Sequence, residues 1–591
     1  MSENLDVPEW GRNAVPSAPE SAAPQGERPT VNPVIAKAVV GVGALASIAS
    51  AFLAWTWTPN FPGDLSVSGY PGGNQWITLV TGVMLLIATA AAFGVPGLRW
   101  LTPRGYVRLL QGLALANLAS TWYVLIAIVV ELKGIANFVT GSWVAGIATL
   151  IPVLGAFLLI DDKHEAAKPA RTPRWLQIAV IFVAVVAGMF VADYGISTGY
   201  AEEFLGFAFA IGFAAWGLAS SGVLNRLTGF TAANRAATAV AAFVAALIFV
   251  FAQTTDQYNN LADDVLILAT VALGLNIVVG LAGLLDLGYV AFLGVGSYTA
   301  ALVSGTAASR FHVAYPFWAQ VLLGIAVALI AGVIIGAPTL RLRGDYLAIV
   351  TLGFGEIFRI VVNNLNGQSG PNLTNGPEGV YGVPDLTLFG YKFDKAHQLF
   401  GVTFNKFGNY YLLLVVAIAI VIFIFARVND SRIGRAWVAI REDETAAGAM
   451  GINGFRFKLL AFALGAGLAG FAGTINAHIL NTVTPDQYMF SATSPPNSAF
   501  LLAAVVLGGM GTISGPLLGA ALLYLIPFKL QFFHNKQLLL FGLALILMMR
   551  FRPEGLVPSR RRQLEFHDEQ IAEAEAQQAV LADVEEAGAT A

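Results

Sequence analysis

The chain of 591 residues contains no cysteine and few charged side chains. The absence of cysteine excludes disulfide bonds, thiol catalysis and thiolate metal ligands. Only 12% of the residues are charged and their sum is a net charge of −3, so the composition does not favour binding to nucleic acid. The six histidines show no HExxH or other paired spacing, and the sequence therefore predicts no metal site.

A phosphate-binding loop is missing from the sequence as well. No lysine is followed by Ser or Thr, so the pattern GxxxxGK[ST] does not occur. If ATP drives this protein, another chain must bind the nucleotide, and we expect this chain itself to bind no cofactor. A convergent His, Asp or Ser constellation, which a membrane-embedded enzyme would need, is also not evident.

Apolar residues dominate what is present. They make up 56% of the chain, and the mean hydropathy is +0.68. Stretches of about 20 apolar residues, each long enough to cross a hydrocarbon core of about 30 Å, recur from Val31 to Met549. The sequence therefore predicts an all-α polytopic protein embedded in a lipid bilayer.

The apolar stretches predict seven spans before residue 255 and about nine membrane segments after it. The first seven lie near residues 34–56, 76–98, 108–130, 138–160, 175–194, 204–223 and 236–253. The later segments lie near residues 264–283, 288–306, 315–337, 345–363, 409–427, 458–478, 498–508, 515–528 and 537–551.

Charge alternates between the loops that join these spans. Arginine and lysine recur in every second loop, including the cluster from Arg427 to Lys458, whereas the loop from Asn363 to Asn409 is rich in Asn, Gly and Pro. Positive charge marks the cytoplasmic side, so we expect both termini in the cytoplasm and the 363–409 loop outside. Residues 1–33 lack the pattern of a signal peptide and predict a disordered cytoplasmic arm, and residues 559–591 predict an acidic cytoplasmic tail.

Two charged residues lie within a predicted span, where each needs a partner or a wet lining. Glu356 and Arg359 are three positions apart, so they share one helical face and can form an ion pair. They fit either a position beside a transport pathway or a structural ion pair near the outer membrane edge. Asp286 and Asp345 lie near span ends, where a helix cap or a side chain reaching the interface explains them equally well.

Glycine marks two further segments. Small residues four apart, at Ala466 and Gly470, predict close packing of a membrane helix against its neighbours. In the run VVLGGMGTISGP, the glycines Gly508, Gly509 and Gly511 predict a break within a span. Broken backbone is tolerated in a membrane only against protein or a water-filled cavity, so a re-entrant segment near a transport pathway is one interpretation.

The run RAWVAIREDETAAGAMGINGFRFK has a different character. Its charged residues are consecutive and its small residues follow directly. A short helix, polar at one end and small-faced at the other, fits docking into a groove of a cytoplasmic partner, although an ordinary solvated loop explains the composition equally well. The residues concerned are Arg441, Glu442, Asp443, Glu444, Ala446, Ala447 and Gly451.

Three stretches resemble the second type of permease subunit of bacterial branched-chain amino acid ABC importers. They are GLLDLGYVAFLGVGSYTAAL (Gly283 to Leu302), TLRLRGDYLAIVTLGFGEIFRIV (Thr339 to Val361) and GRAWVAIREDETAAGAMGINGFRFKLLAFALGAGLAGFAGT (Gly434 to Thr474). LTNGPEGVYGVP and VVLGGMGT are weaker matches. The resemblance covers roughly residues 260–558, with the stretches in the expected order.

The resemblance implies a heteromeric importer in the bacterial inner membrane that carries leucine, isoleucine and valine inward. Its partners would be a sister permease, two ATP-binding subunits that hold ATP and magnesium, and an extracytoplasmic solute-binding protein. By this analogy Arg441 to Gly451 is the coupling helix, although Glu444 lies seven residues before Gly451 with Thr445 intervening, so the match to the family's Glu-Ala-Ala loop is imperfect.

The chain departs from the family pattern in two places. A seven-span extension over residues 34–255 precedes the permease core at 256–558, and a small insertion lies around Ser494 to Asn497. The extension fits a lipid-facing belt, an interface with the sister permease or a regulatory appendage. A related permease for urea or short amides and an ATP-independent carrier or channel are the alternative functions, although a carrier should have more ionisable residues within its spans.

Overall fold

The computed structural model describes residues 32–56, 73–95, 97–160, 172–197, 201–253, 255–342, 345–399, 401–490, 497–530, 536–552 and 554–557. The predicted N-terminal arm as far as residue 31, the predicted acidic tail and residues 494–496 of the predicted insertion lie outside these ranges. Pro33, the last residue of the predicted arm, already begins the first helix.

Helices dominate the described residues. Twelve of them are long and apolar enough to cross a membrane, and four shorter apolar helices accompany them, which confirms the all-α polytopic fold. The helices are α1 (Pro33–Ser50), α2 (Gln75–Ala92), α3 (Val107–Glu131), α4 (Thr140–Phe157), α5 (Arg174–Ser197), α6 (Ala201–Ser220), α7 (Val223–Ala233), α8 (Arg235–Ala252), α9 (Asp256–Asn276), α10 (Val290–Leu302), α11 (Phe317–Thr339), α12 (Asp345–Asn364), α13 (Lys406–Asn429), α14 (Arg432–Glu442), α15 (Glu444–Ala449), α16 (Gly454–Leu480), α17 (Ser498–Gly508), α18 (Ser514–Lys529) and α19 (Gln537–Phe551).

The chain divides into two compact units, of which the first comprises residues 1–170 and 205–226. Within it α1 packs against α2 and α4, and α3 packs against the same two helices. Buried side-chain hydrogen bonds join them: Asn117 of α3 accepts from the Ser47 hydroxyl at 2.8 Å and donates to Thr81 Oγ1 at 2.9 Å. Such bonds hold membrane helices together where the lipid offers polar groups no partner.

The second unit comprises residues 171–204 and 227–591. Helices α5 and α8 pack against each other within it, and α8 also contacts α13. Both helices belong to the extension that the sequence predicts for residues 34–255. The boundaries of the compact units therefore differ from the predicted boundary after residue 255, because α5 and α8 belong to the second unit.

The core of the second unit is built around α9 and α16, the two most completely buried of the twelve long spans. Helices α10 and α11 pack against α16, and glycine permits their close approach. A methyl group on Gly296 of α10 would lie 2.5 Å from the Cα of Gly470, and one on Gly470 would lie 2.8 Å from the Gly324 carbonyl of α11. The small residues of α16 therefore serve helix packing, as their spacing predicts.

Six short strands lie at one end of the second unit, which we call the strand end. They are β1 (Val380–Tyr381), β2 (Thr387–Leu388), β3 (Tyr391–Lys392), β4 (His397–Leu399), β5 (Val402–Phe404) and β6 (Thr482–Val483). β1 pairs with β6, and the others form two antiparallel hairpins. Helices α13 and α16 both run between this end and α14–α15, so α15 marks the opposite end, which we call the α15 end.

Candidate functional site

The segment predicted to dock a partner folds as two helices rather than one. Arg441 and Glu442 end α14, and the backbone turns at Asp443 (φ −152°, ψ 107°) before α15 begins at Glu444. The Asp443 carboxylate accepts hydrogen bonds from the backbone N–H groups of Thr445 (2.7 Å) and Ala446 (2.9 Å). Asp443 is therefore a helix cap, which satisfies donors that the first turn of α15 leaves unpaired.

Most of α15 is open to its surroundings. Ala447 is buried, whereas Ala446, Gly448 and Ala449 are exposed and Met450 is 84% exposed. The helix is followed by Gly451 at φ +85°, a left-handed conformation that favours glycine. The result is a short helix that begins with the exposed polar residues Glu444 and Thr445 and then exposes the small residues Ala446, Gly448 and Ala449.

Three contacts attach this helix pair to the core. The Arg441 guanidinium donates to the Gly280 carbonyl at 2.8 Å, and the buried Lys458 ammonium lies 2.6 Å from the Glu444 carboxylate. The indole N–H of Trp437 in α14 donates to the Phe457 carbonyl at 2.6 Å. These contacts join α14 and α15 to α16 and to the segment around Gly280.

The glycine run forms the turn between α17 and α18. Helix α17 has 11 residues and is about 16 Å long, roughly half of a membrane span. Gly509 (φ +124°) and Gly511 (φ +77°) turn the chain back. The carbonyls of Leu507 and Gly508 accept from the N–H groups of Leu556 (2.9 Å) and Val557 (2.8 Å), so the last carbonyls of the helix have hydrogen-bond partners. The predicted break is thus present, and it has protein partners as buried backbone requires.

A second interruption follows α9, between the segments predicted near residues 264–283 and 288–306, although its π-helical start was not predicted. The helix continues as a π-turn over Ile277–Leu281 and then as irregular chain to Tyr289, where α10 begins as another half-length helix. The N–H of Val290 donates to the Ser498 hydroxyl at 3.0 Å, so the first turns of α10 and α17 meet. The closely spaced glycines Gly280, Gly283 and Gly288 were the available signal for this interruption.

The ion pair predicted within a span lies near the strand end. Arg359 Nε is 2.9 Å from the Glu356 carboxylate, and its Nη1 is 3.8 Å from Asp486, in the turn that follows β6. Both partners on α12 are partly exposed. The structure therefore separates the predicted site residues into two groups, since Arg441 to Gly451, the segment predicted to dock a partner and called the docking segment below, lies at the α15 end.

Asp286, in the irregular chain between the π-turn and α10, is the buried acid of this region. One oxygen accepts from the Gly288 N–H at 2.9 Å, and the other has no hydrogen-bond partner among the described residues.

Metal ligation has no structural support among the described residues, where no group of three or more His, Cys, Asp or Glu side chains could hold an ion. The second unit instead combines full-length spans with two half-length helices, interrupted backbone with protein partners, and an exposed helix between two spans. Half-length helices and interrupted spans inside a membrane are typical of transport proteins. These features define the class as a multi-pass membrane permease.

Comparison with known proteins identifies the family. Residues 257–549 match the family described as "Branched-chain amino acid transport system / permease component". The chain is 40% identical over 317 residues to "High-affinity branched-chain amino acid transport system permease protein LivM" of Salmonella typhimurium, which covers 52% of this chain and 71% of that protein. The Escherichia coli protein of the same name gives the same identity and coverage.

More distant relatives agree with this match. "Probable branched-chain amino acid transport permease protein LivM" of Methanocaldococcus jannaschii is 25% identical over 48% of this chain and 82% of its own length. No solved structure matches the chain. The chain belongs to the family of branched-chain amino acid transport permeases, and it is a transport subunit.

Proposed function

We propose that this chain is the membrane-spanning subunit of an ATP-binding cassette importer that carries branched-chain amino acids into the cytoplasm. Membership of the permease family and 40% identity to relatives named as branched-chain amino acid permeases support the substrate class. The observation that carries the ATP-driven mechanism is α15. It is an exposed helix with small side chains, anchored through Arg441 and Glu444 to buried parts of the core.

The docking surface for the ATP-binding subunits comprises α15 and the residues that flank it. Its exposed small residues permit close approach of a partner, and its buried or bonded residues keep the helix attached to the permease. It includes Gly448 and the residues that the sequence predicts for docking, which are Arg441, Glu442, Asp443, Glu444, Ala446, Ala447 and Gly451. ATP and magnesium are bound by the partner subunits and not by this chain.

The substrate pathway runs past the interrupted segments of the second unit. Gly508, Gly509 and Gly511 form its wall near the α15 end, and the pair Glu356–Arg359 lies beside it at the strand end. Half-length helices support this assignment because their ends bring backbone polar groups into the interior of the membrane. The ion pair with Asp486 also joins α12 to the turn after β6.

The α15 end faces the cytoplasm of a bacterial inner membrane, and the strand end faces the extracytoplasmic solute-binding protein. The charge bias of the loops supports this orientation, because the 427–458 region is rich in Arg and Lys. Both termini would then be cytoplasmic. A sister permease completes the pathway, and similarity of this chain to the LivH permease of Salmonella typhimurium, 24% over 264 residues, supports a partner of related fold.

ATP drives transport by changing the relative free energies of two permease conformations. The ATP-binding subunits associate more closely when they bind ATP, and they shift α15 because they bind one conformation more tightly than the other. Rigid-body movement of helices then alternates the access of the pathway. Arg441 and the Glu444–Lys458 pair transmit the shift to the core.

The test is reconstitution of the complete transporter. The tagged chain is purified in mild detergent with the proteins that accompany it, and uptake of labelled leucine into liposomes is measured with ATP and with a non-hydrolysable analogue. We expect recovery of a second permease and ATP-binding subunits, and leucine uptake that requires ATP hydrolysis and is inhibited by isoleucine and valine.

Two results would contradict the proposal. Inhibition by urea or acetamide, but not by isoleucine or valine, would assign the transporter to the amide branch of the family. A chain that purifies without partners and transports leucine without ATP would be an independent carrier.

A further inference from the structure

Asn276 lies where α9 changes into the π-turn, and it is completely buried. Its side-chain amide donates to the carbonyl of Thr512 at 2.7 Å, and its side-chain oxygen accepts from the N–H of Gly511 at 2.8 Å. One asparagine thus satisfies two backbone groups of the turn between α17 and α18. The bonds connect positions more than 230 residues apart in the chain.

The same π-turn also holds the docking segment. Gly280, four residues after Asn276, accepts the hydrogen bond from Arg441 through its carbonyl. A methyl group on Gly280 would overlap the Asn276 side chain and lie 2.5 Å from the backbone nitrogen of Gly511, so these three residues are packed without free space. One turn of π-helix therefore contacts both the docking segment and the glycine turn.

Arg441 also borders a cavity. The cavity has a volume of about 270 Å³, and its lining includes Gly283, Leu285, Leu342, Arg441 and Glu444. Arg441 packs closely on one of these residues, since a methyl group on Gly283 would overlap the arginine side chain. The free volume leaves room for α14 and α15 to shift, and the hydrogen bonds at Gly280 and Asn276 provide a connection through which such a shift can reach the glycine turn.

If the glycine turn did not move together with α14 and α15, buried backbone groups would lose their hydrogen bonds, which is unfavourable. Backbone N–H and C=O groups without partners are unfavourable in a buried, apolar environment, so a displaced turn must either keep the Asn276 bonds or find new ones. Short π-helical segments within α-helices frequently lie at functional sites, because their extra residue permits local rearrangement. The Asn276 hydrogen bonds and the π-turn therefore suit a joint movement of the docking segment and the glycine turn.

We propose that Asn276 is a positioning residue that links the ATP-driven movement of the docking segment to the glycine turn of the pathway. The link runs from Arg441 through Gly280 and Asn276 to Gly511 and Thr512. It rests on the proposed function, because α15 must be the surface that ATP-binding subunits move. In this proposal Asn276 does not contact the substrate itself. It fixes the position of the glycine turn, which lines the pathway.

The test uses the complete transporter in liposomes with Asn276→Ala and Asn276→Asp. The alanine variant removes both bonds, and the aspartate variant keeps the acceptor for Gly511 but sets a second acceptor against the Thr512 carbonyl. We expect ATP-binding subunits to co-purify normally and ATP hydrolysis to persist. Leucine taken up per ATP hydrolysed should fall at least tenfold in both variants.

Asn409→Ala is the matched control. Asn409 is also buried in the second unit, and its amide donates to the carbonyls of Phe393 (3.1 Å) and Lys395 (3.0 Å) at the strand end. Its loss removes a comparable set of backbone bonds without touching the link. We expect the ratio of leucine uptake to ATP hydrolysis to stay within about twofold of the parent in this control.

Movement of the glycine turn can be measured directly with a single introduced cysteine, because the chain has no cysteine of its own. Met510→Cys places a single, partly buried thiol in the turn. Its maleimide labelling rate should change when ATP binds in the parent and stay constant in the Asn276→Ala background. This readout separates lost communication from a general loss of stability.

Two results would overturn the inference. One is an unchanged ratio of leucine uptake to ATP hydrolysis in both Asn276 variants, including the case in which both rates fall in equal proportion. The other is an ATP-dependent labelling change that survives Asn276→Ala. Failure of the proposed function would look different, because the parent itself would then show no ATP-dependent uptake.

Discussion

Replacing Gly448 of α15 with arginine should abolish leucine uptake while leaving the permease folded. Gly448 is exposed, and a side chain built there meets nothing within 4 Å, so the variant tolerates arginine within its own chain. In a docked complex the same side chain would bury a charge without a partner, at a cost of several kcal/mol. We expect affinity for the ATP-binding subunits to fall by a factor of about 100 or more. Co-purification and uptake measure the effect.

Gly229→Arg is the control for that prediction. Gly229 lies in the short helix α7, is exposed and also has nothing within 4 Å of an added side chain. Both variants add one positive charge to an exposed helical glycine, but only Gly448 lies in the proposed docking surface. Normal recovery of ATP-binding subunits with Gly448→Arg would exclude α15 as that surface.

Gly509→Ala should be the most damaging of the small substitutions in the glycine turn. Its left-handed backbone (φ +124°) disfavours any side chain, and an added methyl would overlap the carbonyl of Val557. Strain of about 1–2 kcal/mol and overpacking of about 1–3 kcal/mol together predict a large fall in thermal stability. Gly511→Ala should cost only the strain, because the nearest atom to its methyl is the Gly280 carbonyl oxygen at 3.5 Å.

The thermal stabilities of the detergent-solubilised variants are compared by heating each one and measuring the remaining folded protein by size-exclusion chromatography. Gly353→Ala in α12 serves as the reference, since Gly353 is helical and exposed with open space around it. Alanine is favoured over glycine in helices, so this control should be neutral or slightly more stable. A Gly509→Ala protein as stable as Gly353→Ala would mean that the turn does not depend on its close contact with residues 554–557.

Sequence reasoning predicted the membrane helices well because each one depends on its own composition. A run of apolar residues about 20 long must cross the bilayer as a helix, since backbone groups have no other partners there. A short helix in the segment proposed to dock a partner was also predictable, because small residues follow the consecutive charged residues that end at Glu444. The prediction of a single helix from Arg441 to Gly451 missed that the Asp443 cap divides the segment.

The link through Asn276 could not be predicted in the same way. Asn276 sits in an apolar run with the composition of an ordinary span, and its partners Gly511 and Thr512 lie far away in the sequence. Glycines in this region indicated irregular backbone but not which carbonyls and N–H groups would meet. The opposite positions of Glu356–Arg359 and the docking segment likewise depend on how α12, α13 and α16 pack.

The sequence by itself therefore determined that the protein lies in a lipid bilayer, that it is helical and that it resembles a transport family. Hydropathy and short motifs carry this information because they are local properties of the chain. Only the tertiary structure decided which residues meet: Arg441 at the Gly280 carbonyl, Asn276 at the glycine turn, and the first turns of α10 and α17 at Ser498. The physical reason is that each of these contacts satisfies a buried backbone group, and the partner of such a group is selected by packing over the whole unit and not by neighbours in sequence.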